Sequence, residues 1–266
     1  IMDKKHNLSN EEIQDLEDQL LDLSIRSKQQ FNEIQNLKNT YAKIINKLAH
    51  NLKNPIGTIY SFSELLIDNK DLSSEKGLKY TEVIKNSAHF SISLINAISK
   101  YTNLISDKNE CNIEKTNYLQ LLNEVINGLE NKFQTKNIVV EKHYNIDEIT
   151  VDIDKLETAL ALEHIFTNAV RFSKNDTKIV VTVEVDNKNL ITKINDFGIG
   201  VKVEDLEKIT NPFFVVNTYD VDGNKCIGLG LSITKEIIEH QNGVLDIYSK
   251  INQGTLVTLT FPLTKI

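Results

Sequence analysis

Asn189-Leu190-Ile191-Thr192-Lys193-Ile194-Asn195 runs straight into Asp196-Phe197-Gly198-Ile199-Gly200, and this junction decides how the C-terminal half of the chain is read. The first seven residues alternate as a strand does. The acid and two glycines behind them set a carboxylate beside a flexible turn that a planar ligand can approach closely. Upstream, Lys178 to Asp186 reads as a second strand, joined to the first by a turn at Asp186-Asn187. Downstream, Gly228-Leu229-Gly230-Leu231 opens a helix reaching His240. Glycines at a helix start expose backbone N–H groups and a positive dipole end, which suits phosphate. Either motif alone also caps ordinary turns; in this order they reinforce each other.

Further out, Tyr118 to Leu129 and Asp154 to Phe172 read as helices, with a short helix at Glu204 to Ile209. Strands are expected at Asn137 to Tyr144, Ile149 to Val151, Val244 to Ser249 and Thr255 to Pro262. Helices and mostly antiparallel strands imply an α/β sandwich, one sheet covered by helices on one face. Asn168 stands on the otherwise apolar helix Glu163 to Phe172. Its side-chain oxygen suits Mg²⁺ shared with substrate phosphates, Arg171 suits phosphate charge, and Phe172 suits the wall of an adenine site. A buried, hydrogen-bonded asparagine near a helix end is the plainer alternative, and the two glycine motifs outweigh it.

The N-terminal part follows another period. Ile13, Leu16, Leu20, Leu23, Ser27, Gln30, Ile34, Leu37, Tyr41, Ile44 and Leu48 keep a three–four alternation, while Glu11, Glu12, Glu33, Lys38 and Lys43 lie off it. Such a seam supports a parallel coiled coil over a lone amphipathic helix, with Ser27 and Gln30 weakening or specifying its middle. It runs into Leu48-Ala49-His50-Asn51-Leu52-Lys53-Asn54-Pro55-Ile56-Gly57, where the proline should bend the helix just after His50. Asp68-Asn69-Lys70-Asp71 ends that helix, and Ser73-Ser74-Glu75 opens another carrying Ile84, Ala88, Ser91, Ile95, Ile98 and Ile105 on one stripe. A hairpin dimerising through such a seam makes a four-helix bundle. The polar run Ser106 to Glu110 marks a boundary.

The composition agrees with two soluble domains: 266 residues, 3 prolines and 10 glycines. A net charge of −7 argues against a nucleic-acid footprint. Cys111 and Cys226 match no metal-ligand spacing and read as reduced thiols. No apolar run approaches the ~20 residues that cross a bilayer. Ile1 before Met2 suggests a cloning scar or an internal start, so a sensor region is expected upstream.

With these motifs in order, the sequence resembles the two-component histidine kinases along nearly its whole length beyond the coiled coil. His50 to Pro55 looks like their H box, the Asn168 helix like their N box, and Asp196 to Gly200 like the G1 box. Asn211-Pro212-Phe213-Phe214 looks like the F box, Gly228 to Leu231 like the G2 box, and Gly254-Thr255 like the closing glycine–threonine signature. The resemblance implies an α+β chain: a coiled-coil signalling helix over 1–40, a dimeric phosphotransfer four-helix bundle over 41–108, and a Bergerat-type α/β sandwich ATPase domain over 109–266. It implies autophosphorylation of His50 from Mg·ATP and transfer to a response-regulator receiver domain on a separate chain. Asn51 and Asn54 would be the catalytic neighbours. Asn168 (holding Mg²⁺), Arg171, Phe172, Asp196 (reading the adenine amino group), Gly198, Gly200, Phe214, Gly228, Leu229, Gly230 and Thr255 would bind nucleotide. Asn211 to Ile227 would be the ATP lid, with Asp220 to Asn224 at its mobile tip. A cytoplasmic homodimer follows, touching a membrane only through an upstream sensor.

Three departures stand out. Asn51 replaces the acid that usually follows the phosphoacceptor, His164 replaces a frequent asparagine, and Cys226 replaces the first glycine of the usual G2 run. His164 reads as part of the nucleotide pocket rather than a metal ligand. His50 falls at an outward position of the seam helix, whereas His6, His89, His143 and His240 read as ordinary surface histidines. The loss of the acid keeps open a degenerate kinase acting as phosphatase or interaction module. Another ATPase of the superfamily, gyrase-like or chaperone-like, is the remaining alternative, and the H-box hairpin speaks against it.

Overall fold

The computed structural model describes residues 10–68, 74–106, 111–186 and 188–263, without the side chains of 10–18, 33 and 36–43. Several expectations fall outside the described residues: the turn positions Asn69, Lys70, Asp71 and Ser73, the boundary residues 107–110, Asn187 and His6. The side chains of Ile13, Leu16, Leu37 and Tyr41 on the seam, and of Glu11, Glu12, Glu33, Lys38 and Lys43 off it, do so too. The chain divides into two compact units, Ile1–Asn54 and Pro55–Ile266.

Helix α1, Asn10–Asp68, runs for 59 residues and carries Pro55 inside it. Proline removes one ladder bond but fits the helical φ, and a helix this long absorbs the loss of one bond without ending. In the first unit Leu20, Leu23 and Ile34 are 66%, 63% and 50% exposed in the single chain, and Ile44 and Leu48 are half-buried.

In the second unit, α2 (Glu75–Leu104) starts at Ser74, whose hydroxyl accepts the Gly77 N–H at 3.1 Å. Phe62 of α1 meets Tyr80 of α2 edge to face at 5.4 Å. On the expected stripe of α2 only Ser91 is buried; Ile95 and Ile105 remain exposed. Leu94 and Leu104 are the apolar side chains that α2 buries.

The rest of the unit is β1 (Ile113–Asn117), α3 (Tyr118–Gly128), α4 (Glu130–Thr135), β2 (Val139–Tyr144), β3 (Thr150–Asp154) and α5 (Lys155–Phe172). There follow β4 (Lys178–Val185), β5 (Asn189–Asp196), α6 (Val203–Leu206), α7 (Gly230–His240), β6 (Val244–Lys250) and β7 (Gly254–Pro262). The main sheet has five strands in the order β2-β4-β5-β7-β6, antiparallel except for the β2–β4 pair. β3 does not join it; it pairs with β1 in a separate two-stranded sheet.

One face of the main sheet is dry. Ile179, Val181 and Val183 of β4, Leu190, Thr192 and Ile194 of β5, and Leu259 and Phe261 of β7 are buried at the period of two that a half-covered strand requires. α5 packs between α3 and α7, and the three helices supply the other half of this core: Leu122, Leu162, Phe166, Ile233 and Ile237 are all buried. Tyr118 stays buried because its hydroxyl pairs with Thr192 Oγ1 at 2.7 Å, and burial raises its pKa. Asp154 caps α5 by accepting the Glu157 N–H at 2.9 Å, and its own N–H donates to Gln241 Oε1 at 2.7 Å, tying the start of α5 to the end of α7.

Candidate active site

Asp196 ends β5 in the dry layer, and two N–H groups meet it there. Gly198 N–H donates to its Oδ1 at 2.9 Å and Thr255 N–H to the same oxygen at 3.1 Å. Burial pushes the carboxyl pKa up to about 6, against the pull of those two donors. Gly198 serves this carboxylate from behind: a Cβ there would stand 2.5 Å from the Phe172 carbonyl oxygen. Gly254 opens β7 at φ +96, and a Cβ on it would collide with the Asp196 carbonyl. The pairing that brings Thr255 to Asp196 therefore requires glycine. Ser249 Oγ accepts the Val201 N–H at 2.9 Å and donates to Gly254 O at 2.8 Å, closing the turn over the same spot.

The second wall is the start of α7. Its cap residue is Leu229, whose side chain makes no capping bond, and the first helical bond is Ile233 N–H to Leu229 O at 2.9 Å. A helix start without a side-chain cap leaves N–H donors and the positive dipole end for a ligand. Gly228 precedes it at φ +76, so close to Phe214 that a Cβ would stand 2.5 Å from that carbonyl oxygen. Gly228 O in turn accepts the N–H of buried Phe213 at 2.7 Å.

α5 supplies the third wall. His164, Asn168, Arg171 and Phe172 are spaced for one helix face, and all four line the cavity. Burial holds the His164 imidazole below its usual pKa, against Glu163 and the Gly230 carbonyl, and its Nδ1 is buried without a partner. A Cβ on Gly230 would stand 3.8 Å from Asn168 Nδ2, so the amide and the α7 start face the same space.

Together these walls enclose a cavity of about 500 Å³. Every nucleotide-site residue expected from the sequence lines it except Gly198: Asn168, Arg171, Phe172, Asp196, Gly200, Phe214, Gly228, Leu229, Gly230 and Thr255. Ser93 and Ala97 of α2 complete the rim, and Ile194, Ile199, Ile209, Ile227, Ile247 and Val257 give it an apolar floor. α2 is held there by Lys100, which pairs with Glu157, and by Lys225, which lies 5.0 Å from the Phe90 ring centre. One buried carboxylate in an apolar slot, facing a helix start rich in N–H donors, can bind a flat ring bearing an amino group together with an anionic chain. Among the described residues no group of three or more His, Cys, Asp or Glu could hold a metal ion. Asn168 offers one amide oxygen, which fits Mg²⁺ when ligand phosphates supply other oxygens.

His50 and Asn54 are exposed on α1 and Asn51 is half-buried. The expected lid tip makes two ion pairs with the body of the unit. Asp220 pairs with Arg171 at 3.1 Å and Asp222 with Lys136 at 2.6 Å. Lys136, absent from the sequence reading, is buried and donates to the carbonyls of Val170 and Ser173 at the end of α5 at 3.0 and 3.2 Å. A lysine surrounded by polar residues gives no sign in sequence of being buried.

Residues 129–265 match the family described as histidine kinase-, DNA gyrase B-, and HSP90-like ATPase. The chain belongs to that family. It is 23% identical over 249 residues to the cell-division control histidine kinase PdhS of Brucella canis, a match covering 88% of this chain and 24% of the relative. It is also 23% identical over 254 residues to the non-motile and phage-resistance protein of Caulobacter vibrioides, covering 93% of this chain and 30% of the relative. The chain thus spans less than a third of these curated relatives. Among solved structures, histidine kinase ThkA in complex with response regulator protein TrrA matches with a TM-score of 0.70 at 23% identity, over 84% of this chain and 61% of that one. Acinetobacter baumannii histidine kinase AdeS matches with a TM-score of 0.64 at 21% identity, over 81% of this chain and 98% of that one. These structural likenesses carry the fold: a helical N-terminal region followed by an α/β ATPase sheet domain.

Proposed function

We propose that this chain is a sensor histidine kinase core that transfers the γ-phosphoryl group of Mg·ATP to His50 and passes it to an aspartate on a response regulator. The carrying observation is the convergence of Asp196, the α5 face and the uncapped α7 start on one cavity. Asp196 accepts the adenine amino group, Phe172 and the apolar floor flank the ring, and the N–H groups at Gly230 receive phosphate with Arg171. Asn168 would hold Mg²⁺, which would neutralise phosphate charge. The protein's part in such a transfer is positioning and electrostatics. A neutral imidazole nitrogen of His50 attacks the γ-phosphorus, the bond to the β–γ bridging oxygen breaks with its electrons leaving on ADP, and the imidazole proton passes to solvent. Asn51 orients the ring through its amide oxygen, and Asn54 acts in dephosphorylation of the regulator.

The working unit is a cytoplasmic homodimer joined through the seam of α1 and the exposed apolar residues of α2, with residues 1–40 as signalling coiled coil, 41–108 as phosphotransfer hairpin and 109–266 as catalytic domain. That ThkA is seen with a response regulator supports such a partner. No helix among the described residues is long and apolar enough to cross a membrane. The reading is tested by calorimetry of ATP with and without Mg²⁺. Asn168→Ala should weaken Mg·ATP binding about ten- to a hundredfold, the worth of a lost charge-assisted contact. Wild-type affinity in that variant would refute the site.

A further inference from the structure

Residues 218–226 close on themselves as a small hairpin. Cys226 N–H donates to Thr218 O at 2.9 Å, Tyr219 and Lys225 form an antiparallel bridge, and Gly223 turns the tip at φ +81. Inside it lies the Asp220 carboxylate, its side chain only 2% exposed. It accepts the N–H groups of Asp222 and Asn224 at 3.0 and 2.7 Å and the Asn224 amide at 3.3 Å. Its Oδ2 also meets Arg171 Nε at 3.1 Å. A second tie lies alongside: Asp222 Oδ2 is 2.6 Å from Lys136 Nζ, which donates to the carbonyls of Val170, Arg171 and Ser173 at 3.0, 3.4 and 3.2 Å. The hairpin is thus fastened to Arg171 twice, at its side chain and, through Lys136, at its backbone.

Arg171 lines the cavity, whereas Asp220, Asp222 and Lys136 do not. Asp220 therefore meets the guanidinium without itself lining the ligand space. The contact is made at the inner nitrogen, Nε, and the two terminal amino groups are the part of the fork that reads phosphate oxygens. An anion merely occupying the place of phosphate would line the cavity and meet the terminal groups.

We propose that Asp220 is a positioning residue: from the lid hairpin it holds the Arg171 guanidinium against the cavity wall, so that phosphate recognition by Arg171 depends on a lid carboxylate that never touches the ligand. The Lys136–Asp222 pair keeps the hairpin in register for that task. The inference rests on the nucleotide reading given above. It makes lid docking and phosphate affinity one event, since displacing the hairpin frees a long arginine that must then be ordered at the ligand's expense.

Calorimetry of the full chain with Mg·ATP and, separately, with adenosine tests this. Asp220→Asn keeps an oxygen for the hairpin N–H groups but removes the charge that grips Arg171. ATP binding should weaken about tenfold, as for loss of a charge-assisted contact, and adenosine binding should change less than about twofold. Asp222→Asn should show a smaller loss in the same direction. Arg171→Ala combined with Asp220→Asn should be no weaker than Arg171→Ala alone, as coupled residues require. Tighter ATP binding in Asp220→Asn, an equal loss for ATP and adenosine, or additive losses in the double variant would overturn the inference. A wild-type chain that binds neither ligand would instead overturn the nucleotide reading.

Discussion

Replacing Asp196 by asparagine should make the second unit more stable and less able to bind nucleotide. The carboxyl is buried, its pKa stands at about 6 instead of the usual 3.8, and burial is the cause. The folded protein therefore holds this proton more tightly than the unfolded chain does. Between those two pKa values the native state binds more protons, so stability falls as pH rises through the window and stays low above about pH 6. Two pKa units correspond to about 3 kcal/mol at neutral pH, as an upper bound. The substituted amide would keep an oxygen for the Gly198 and Thr255 N–H groups and place an uncharged NH₂ where the second carboxylate oxygen stood. Urea denaturation from pH 4 to 8 should show the wild type losing stability relative to Asp196→Asn across the window, leaving the variant with the higher midpoint at pH 7.5. Mg·ATP affinity, which needs the acceptor, should fall about ten- to a hundredfold in the variant. In the wild type, affinity should fall as pH drops through 6. Parallel pH profiles for the two proteins would refute the assignment of the penalty to Asp196.

Asn51 carries no charge and cannot take a proton as the usual acid can, so His50 phosphorylation should be slow. Asn51→Asp or Asn51→Glu should raise its rate at least severalfold in a time course at saturating Mg·ATP, since positioned acid–base groups are typically worth about 10²–10⁴ in rate. Ile44 and Leu48, half-buried in the single chain, become fully covered in the proposed dimer. Replacing both with Asp should shift light scattering toward monomer, because unpaired charge in such a seam costs several kcal/mol. An unchanged dimer would place the interface elsewhere.

The cavity was legible because its residues announce themselves locally. An acid ending an alternating strand, glycines opening a helix, and Asn168, Arg171 and Phe172 on one helical face need no knowledge of distant partners. Gly198 belonged to the same motif but serves Asp196 from behind, a distinction only the close approach of the Phe172 carbonyl reveals. β1 has no sequence signal, because Ile113–Asn117 has little alternation and buries only Thr116; its strand character comes from pairing with β3. β3 runs on past the expected Ile149 to Val151, since Asp152 and Asp154 look like loop residues, yet Asp154 doubles as the cap of α5. The helix spacing marks Arg171 only as a ligand-facing residue. Its partner Asp220 lies far along the chain, and no local pattern links a helix end to a lid tip.

In the proposed reaction His50 receives phosphate from nucleotide bound in the Asp196 cavity. The decisive experiment incubates the full chain with γ-labelled Mg·ATP and maps the acid-labile phosphate by mass spectrometry. The expected result is one modified residue, His50, with no label in His50→Ala and little in Asp196→Asn. Label that persists in His50→Ala, or that is untouched by Asp196→Asn, would contradict it.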